Sequence, residues 1–524
     1  MLFNSVEFLF VFLPITVIGY FLIRPRAPRL SLLWLVAASL VFYAWFEWRY
    51  ALLLIGSVAF NFFVGRWLAR VAAQAEGDWG QARRAKPVLV LAVGVNLAVL
   101  GYFKYAVFVL ENMNALLGTE WTLARVVLPL AISFFTFQQI TYLVDAYRGL
   151  TREYDPLSFF VFVTFFPQLI AGPIVHHREM MPQFRQVAAP QAWVENLAVG
   201  LSIFVLGLFK KVVLADGIAV HASPMFNAAA AGASPTLLEA WPGVLAYSLQ
   251  LYFDFSGYSD MAVGLARIFG IRLPANFFSP YKARNIIDFW RRWHMTLSRF
   301  LRDYVYVPLG GNRRGRRRRY VNLVATMLIG GVWHGAGWTF VLWGALHGLY
   351  LLVNHLLAEL NARFRQGRPL LPALVAVPVT FLFVVLAWVP FRAADIGTAG
   401  RIYAGMLGLN GVVLPSGYAG YLGGWQARLQ ALGVEFSGDP GTYGGATQLA
   451  WVLALMAIAW FTPNTLQWFR RYRPVLRDRD LMRGTVESAP CWRPTMPHAA
   501  AVAVLALLAV ASLTKATEFL YFQF

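Results

Sequence analysis

The sequence predicts an all-α, polytopic transmembrane bundle, and three observations lead there. Hydrophobic residues fill 59% of the 524 positions and charged residues only 13%, where soluble chains carry about a quarter. Mean hydropathy is +0.56, so water is not the main solvent of this chain. Apolar runs near the roughly 20 residues that a membrane helix needs recur along its length, punctuated by charge or by Gly and Pro.

The first run, residues 2–23, lacks the basic leader of a secretory signal, and Arg24, Arg26 and Arg29 follow it instead. That pattern predicts a retained helix with its N-terminus outside. Further runs cover residues 30–46, 50–64, 88–110, 123–144, 193–209, 241–269, 321–333, 338–357, 371–389, 447–461 and 499–513, about a dozen passes in all. Because lipid rather than a water-excluding core buries the apolar surface, the whole of 1–524 reads as one membrane-embedded domain despite its length.

The chain has 45 Lys plus Arg against 25 Asp plus Glu, a formal charge of +20. In a soluble protein this would suggest nucleic acid as a partner. Here the positive-inside rule explains it, placing stretches 66–86, 282–319, 363–368 and 470–493 in the cytoplasm, against membrane lipid, and the basic-poor stretch 410–446 outside. Cys491 is the sole cysteine, which excludes an intramolecular disulfide and a cysteine metal cluster. No Walker loop, dinucleotide fingerprint or serine nucleophile elbow occurs.

Two segments depart from plain spans. Residues 159–174 are apolar but short and are broken by Pro167, Gly172 and Pro173, as expected of a re-entrant piece lining a cavity. Residues 286–307 mix aromatics with Arg291, Arg292, Arg299 and Arg302, the pattern of an interfacial amphipathic helix.

Polar residues in apolar surroundings are costly and are the first functional candidates. His334 lies in Gly330-Gly331-Val332-Trp333-His334-Gly335 between two apolar runs. It suits either a structural histidine at a helical turn or a general base, since neutral imidazole takes a hydroxyl proton near neutral pH. His294, in Trp290-Arg291-Arg292-Trp293-His294, suits either an interfacial role or a catalytic one. His347 falls about 15 Å along the return helix at 1.5 Å per residue, which argues against direct cooperation with His334. His176 and His177 lack a third ligand at metal spacing and read as loop residues, so no bound metal is expected. Asp145, Asp254 and Asp260 are the main carboxylates in apolar runs. They could pair with arginine, shape a polar cavity or carry protons. The run Arg313-Arg314-Gly315-Arg316-Arg317-Arg318-Arg319 fits anionic lipid or the phosphates of a donor such as coenzyme A.

Longer stretches carry a family likeness. Ile132-Ser133-Phe134-Phe135-Thr136-Phe137-Gln138, Pro167-Gln168-Leu169-Ile170-Ala171-Gly172-Pro173, Tyr252-Phe253-Asp254-Phe255-Ser256-Gly257-Tyr258-Ser259-Asp260, Asp288-Phe289-Trp290-Arg291-Arg292-Trp293-His294, the segment from Arg302 through Asn312, and Trp333-His334-Gly335 resemble the membrane-bound O-acyltransferase family, in particular its bacterial alginate O-acetyltransferase branch. The likeness is best over residues 130–392. It implies a ring of helices around a narrow tunnel, His334 as the catalytic residue and His294 as its companion, with Trp333, Asp254, Asp260 and Arg291 expected at the substrate. It also implies acetyl-CoA as donor with no bound cofactor, a polysaccharide acceptor, a periplasmic partner of SGNH or esterase type, and a bacterial inner-membrane location. Direct transfer with His334 as base and relay through an acyl-histidine both remain open. The competing expectations are D-alanyl transfer from a carrier protein toward teichoic acid, an ion pathway through Asp254, Asp260 and His334, and a scaffold for polysaccharide export.

Overall fold

The computed structural model describes residues 1–74, 84–124, 126–151, 155–185, 190–364, 371–439, 441–477, 481–482, 490–513 and 520. Each of the twelve apolar runs contains a helix. Trp48–Gln74, Lys86–Leu117, Ala192–Ala230, Trp338–Phe364 and Ala373–Arg392 are long and apolar enough to cross a membrane; Phe8–Ile23, Pro28–Ala44, Gly445–Phe461 and Met496–Ala511 are shorter apolar helices. The contacts divide the chain into two compact units, one of residues 1–209, 257–276 and 465–523, the other of residues 210–256 and 277–464.

In the first unit, glycine sets the closest helix packing. A Cβ on Gly200 would stand 2.7 Å from the Gly264 carbonyl oxygen, and one on Gly207 would stand 2.6 Å from that of Gly257. The Pro190–Phe209 helix therefore lies backbone to backbone on the chain after Gly257, as small residues permit inside a bilayer. Asn61 and Asn96 exchange side-chain hydrogen bonds at 2.8 and 3.1 Å between Trp48–Gln74 and Lys86–Leu117, which satisfies two amides that neither helix could bury alone.

The run 123–144 is helical only from Ile132, because Ala131 takes a left-handed backbone with φ of 63°. The extended chain before it is held by hydroxyls, Tyr43 donating to the Leu130 carbonyl and Tyr50 to that of Val127, both at 2.8 Å. The segment 159–174 is broken as its prolines demand. Helix Pro156–Thr164 ends at Phe165, a single turn Phe166–Leu169 follows, and coil leads on to His177. Its residues are almost all buried, and the Phe162 carbonyl accepts from the side chains of Gln138 at 2.6 Å and Gln168 at 2.7 Å. Irregular backbone is thus buried in protein, and two side-chain amides take up the Phe162 carbonyl near the helix end.

In the second unit the stretch 410–446 holds a two-stranded parallel sheet, Val412–Pro415 beside Val434–Ser437, with the short helices Ala419–Leu422 and Trp425–Ala431 between the strands. Glu239, in the first turn of Leu237–Ile268, fastens this excursion. Its carboxylate accepts from the backbone and hydroxyl of Thr236 and from those of Thr442, at 2.8 to 2.9 Å. Burial alone would raise its pKa, but the four donors outweigh burial and lower it. A depressed folded pKa means the clamp stabilises fully above the unfolded carboxylate value of about 4.3 and is lost as pH falls through the folded value. Hydrogen exchange around Thr442 is therefore expected to accelerate on acidification below that range, and Glu239→Gln is expected to show the fast exchange already at pH 7.

Candidate active site

All of the candidate site belongs to the second unit. Helix Gly315–His334 and helix Trp338–Phe364 form a tight antiparallel hairpin across Gly335, Ala336 and Gly337. Three glycines make this closeness possible. A Cβ on Gly331 would meet the Phe340 carbonyl oxygen at 2.3 Å, one on Gly344 the Met327 carbonyl oxygen at 2.6 Å, and one on Gly335 the Phe340 ring at 2.1 Å. His334 ends the first helix because Gly335 turns extended, with φ of −160° and ψ of 155°. The imidazole is only 4% exposed.

Rings crowd His334 edge-on. Trp333 and Trp343 each lie 4.9 Å from it between ring centres, and Phe391, from Ala373–Arg392, lies at 5.2 Å. The single amphipathic helix expected over 286–307 is absent. Ile286–Trp290 is capped by the Asn285 side chain, which accepts from the Asp288 backbone at 2.9 Å, and a new helix, Met295–Leu301, starts after a break. Trp290 and Trp293 are both buried.

His294 sits at the break with φ of 41° and ψ of 52°, a left-handed conformation uncommon for a residue with a side chain. The turn drives its imidazole inward to full burial, edge-on to Phe255 at 4.8 Å and 6.4 Å from the ring of His334. That spacing exceeds hydrogen-bond distance even with two nitrogens facing. His294 lies outside the spanning helices, and burial holds its pKa well below the ordinary imidazole range. Burial thus favours the uncharged ring, which can accept one hydrogen bond and donate one.

His347 joins the same aromatic cluster, 4.8 Å from Trp343 and 5.1 Å from Trp290. Trp343 thus stands against both His334 and His347, a proximity that residue counting along the helix did not suggest.

The other candidates divide between the site and the rest of the fold. Asp254 accepts from Lys211 Nζ at 2.8 Å, and Lys211 also bonds Asp216 at 2.8 Å. Asp254 adjoins the site through its neighbour Phe255, the ring that meets His294. Asp260 is in the first unit, where its carboxylate accepts the Thr465 hydroxyl at 2.6 Å. Arg291 is exposed, while Trp333 packs on His334. His177, also in the first unit, is buried with Nδ1 2.6 Å from the Thr151 hydroxyl. Among the described residues no group of three or more His, Cys, Asp or Glu could hold a metal ion. In the arginine run, Arg316 and Arg319 pair with Glu359, whose carboxylate also accepts the Tyr320 hydroxyl at 2.8 Å.

Sequence reading missed Trp343, Phe391 and Phe255 as neighbours of the histidines. Each comes from a different helix, and the only local signal was the density of aromatic residues near glycine.

The family model of the membrane-bound O-acyltransferases matches residues 144–387. A peptidoglycan O-acetyltransferase of Helicobacter pylori is 46% identical over 442 residues, covering 79% of this chain and 81% of that protein. A probable alginate O-acetylase of Pseudomonas putida is 37% identical over the full length of both chains. A teichoic acid D-alanyltransferase of Bacillus subtilis is 29% identical over 275 residues, half of this chain and 68% of that protein.

Proposed function

This chain belongs to the membrane-bound O-acyltransferase family and is an O-acyltransferase, and from that premise we propose that it moves acetyl groups from acetyl-CoA to an extracytoplasmic polysaccharide. The observation that carries the reading is the buried pair His334 and His294, 6.4 Å apart within walls of aromatic rings. The full-length likeness to a probable alginate O-acetylase, against half-length likeness to a D-alanyltransferase, favours acetyl over D-alanyl. In this reading His334 takes the proton of an acceptor hydroxyl, whose oxygen attacks the thioester carbonyl. The C–S bond then breaks, and the departing thiolate recovers the proton from His334, so no net proton is consumed.

The donor enters from the cytoplasm, where the arginine-rich stretches lie by the positive-inside rule, and the N-terminus is periplasmic. The protein resides in the bacterial inner membrane, and a periplasmic partner of SGNH or esterase type carries the acetyl group on to the glycan. The test supplies radiolabelled acetyl-CoA to membranes that contain or lack this protein and measures ester-linked label released from glycan by mild base. Label dependent on the protein is expected. Absence of label from acetyl-CoA, with label arriving instead from a D-alanyl carrier protein, would replace the acetyl reading by D-alanylation.

A further inference from the structure

Catalysis of acyl transfer requires more than a base. When an oxygen attacks a thioester carbonyl, the carbonyl oxygen becomes negative, and in a site without water that charge needs a donor already in place. His334 cannot serve both ends of this reaction, since its role is to accept a proton.

Trp343 has the qualities of such a donor. Its ring stands 4.9 Å from His334, centre to centre, and nearly perpendicular to it at 84°. The residue is 1% exposed, and its indole Nε1 is buried with no hydrogen-bond partner among the described residues. An indole N–H can only donate. Leaving one unsatisfied inside a protein costs about 1–3 kcal/mol; the Nε1 atoms of Trp290 and Trp388 are likewise buried without a partner among the described residues, and what distinguishes Trp343 is that its ring packs directly on His334.

The ring is also held in place. Gly344, the next residue, lies against the Met327 backbone, His347 packs on Trp343 at 4.8 Å, and Trp388 stacks at 6.1 Å and 17°. A donor fixed this firmly does not have to reorganise as charge develops, which is where oxyanion stabilisation gains its strength.

We propose that Trp343 is a catalytic residue whose indole N–H donates to the oxyanion of the tetrahedral intermediate formed beside His334. The inference rests on the acyl-transfer reading given above. His334 removes the hydroxyl proton, the oxygen–carbon bond forms, and the carbonyl π electrons move to the oxygen that Trp343 stabilises. They return as the C–S bond breaks, and the departing thiolate takes up the proton from His334.

The test is W343F in the purified full chain, assayed for acetyl-CoA turnover alongside H334Q. Phenylalanine keeps an aromatic ring and removes the N–H. The expected result is a fall in kcat of about 10²–10³-fold, the usual effect of losing one oxyanion donor, with KM for acetyl-CoA little changed. Should W343F fail to accumulate, benzothienylalanine placed at position 343 keeps the bicyclic shape with sulfur in place of N–H, and the same fall is expected. Retention of more than about a tenth of wild-type kcat by the shape-preserving variant would overturn the proposal, since one donor is worth more than that. If H334Q also stays active, the acyl-transfer reading of His334 falls with it; if H334Q is inactive, only the Trp343 assignment is lost.

Discussion

His334→Gln is expected to lower acetyl transfer by about 10²–10⁴-fold, the contribution typical of a positioned general base, at unchanged protein level. Glutamine is close to histidine in size and keeps hydrogen-bonding atoms, so the edge-on contacts with Trp333, Trp343 and Phe391 lose little packing. What it removes is the capacity to take and return a proton. Label transferred to glycan by membranes, normalised to immunodetected protein, measures the effect. Undiminished transfer at normal abundance would remove His334 from the chemistry and leave the scaffold for polysaccharide export as the better account. Flux of ions without acyl transfer would point to the transport alternative instead.

Gly344→Leu is expected to abolish both accumulation of the protein and its activity. The atoms nearest a Cβ at position 344 are backbone, the Met327 carbonyl oxygen at 2.6 Å and the Leu328 Cα at 3.1 Å. A side chain can change rotamer to relieve a clash, but here one helix would have to move away from the other. Such a movement separates Gly315–His334 from Trp338–Phe364, so His334 and Trp343 lose their common position even if the chain inserts. Gly56→Leu provides the comparison, since nothing lies within 4 Å of a Cβ there, and it is expected to leave both abundance and transfer near wild type. Normal abundance and transfer in Gly344→Leu would show that the hairpin is looser than its geometry requires.

The sequence by itself determined the class of this protein. Sustained apolar runs and scarce charge allow no soluble fold, and each of the twelve runs contains a helix because a bilayer leaves the backbone few other ways to satisfy its polar groups. Sequence also singled out His334, an imidazole between two apolar runs, and the family resemblance named His294 as its companion. Pro167 and Gly172 marked the break in 159–174 from local sequence alone.

Other features depend on residues distant in the chain. Residues 286–307 read as one amphipathic helix because their charges and aromatics alternate suitably, but the chain breaks at His294, whose left-handed backbone accompanies full burial of its ring. Asp254 and Asp260 looked equivalent across Phe255-Ser256-Gly257-Tyr258-Ser259; packing gave one to Lys211 and the other to Thr465. His347 looked remote from His334 when distance was counted along one helix, because that count omits the ring of Trp343 lying against both. Periodicity reports which face of a helix is apolar. Which ring of a neighbouring helix meets that face is set by how closely two backbones approach, and here Gly331, Gly335 and Gly344 set that distance.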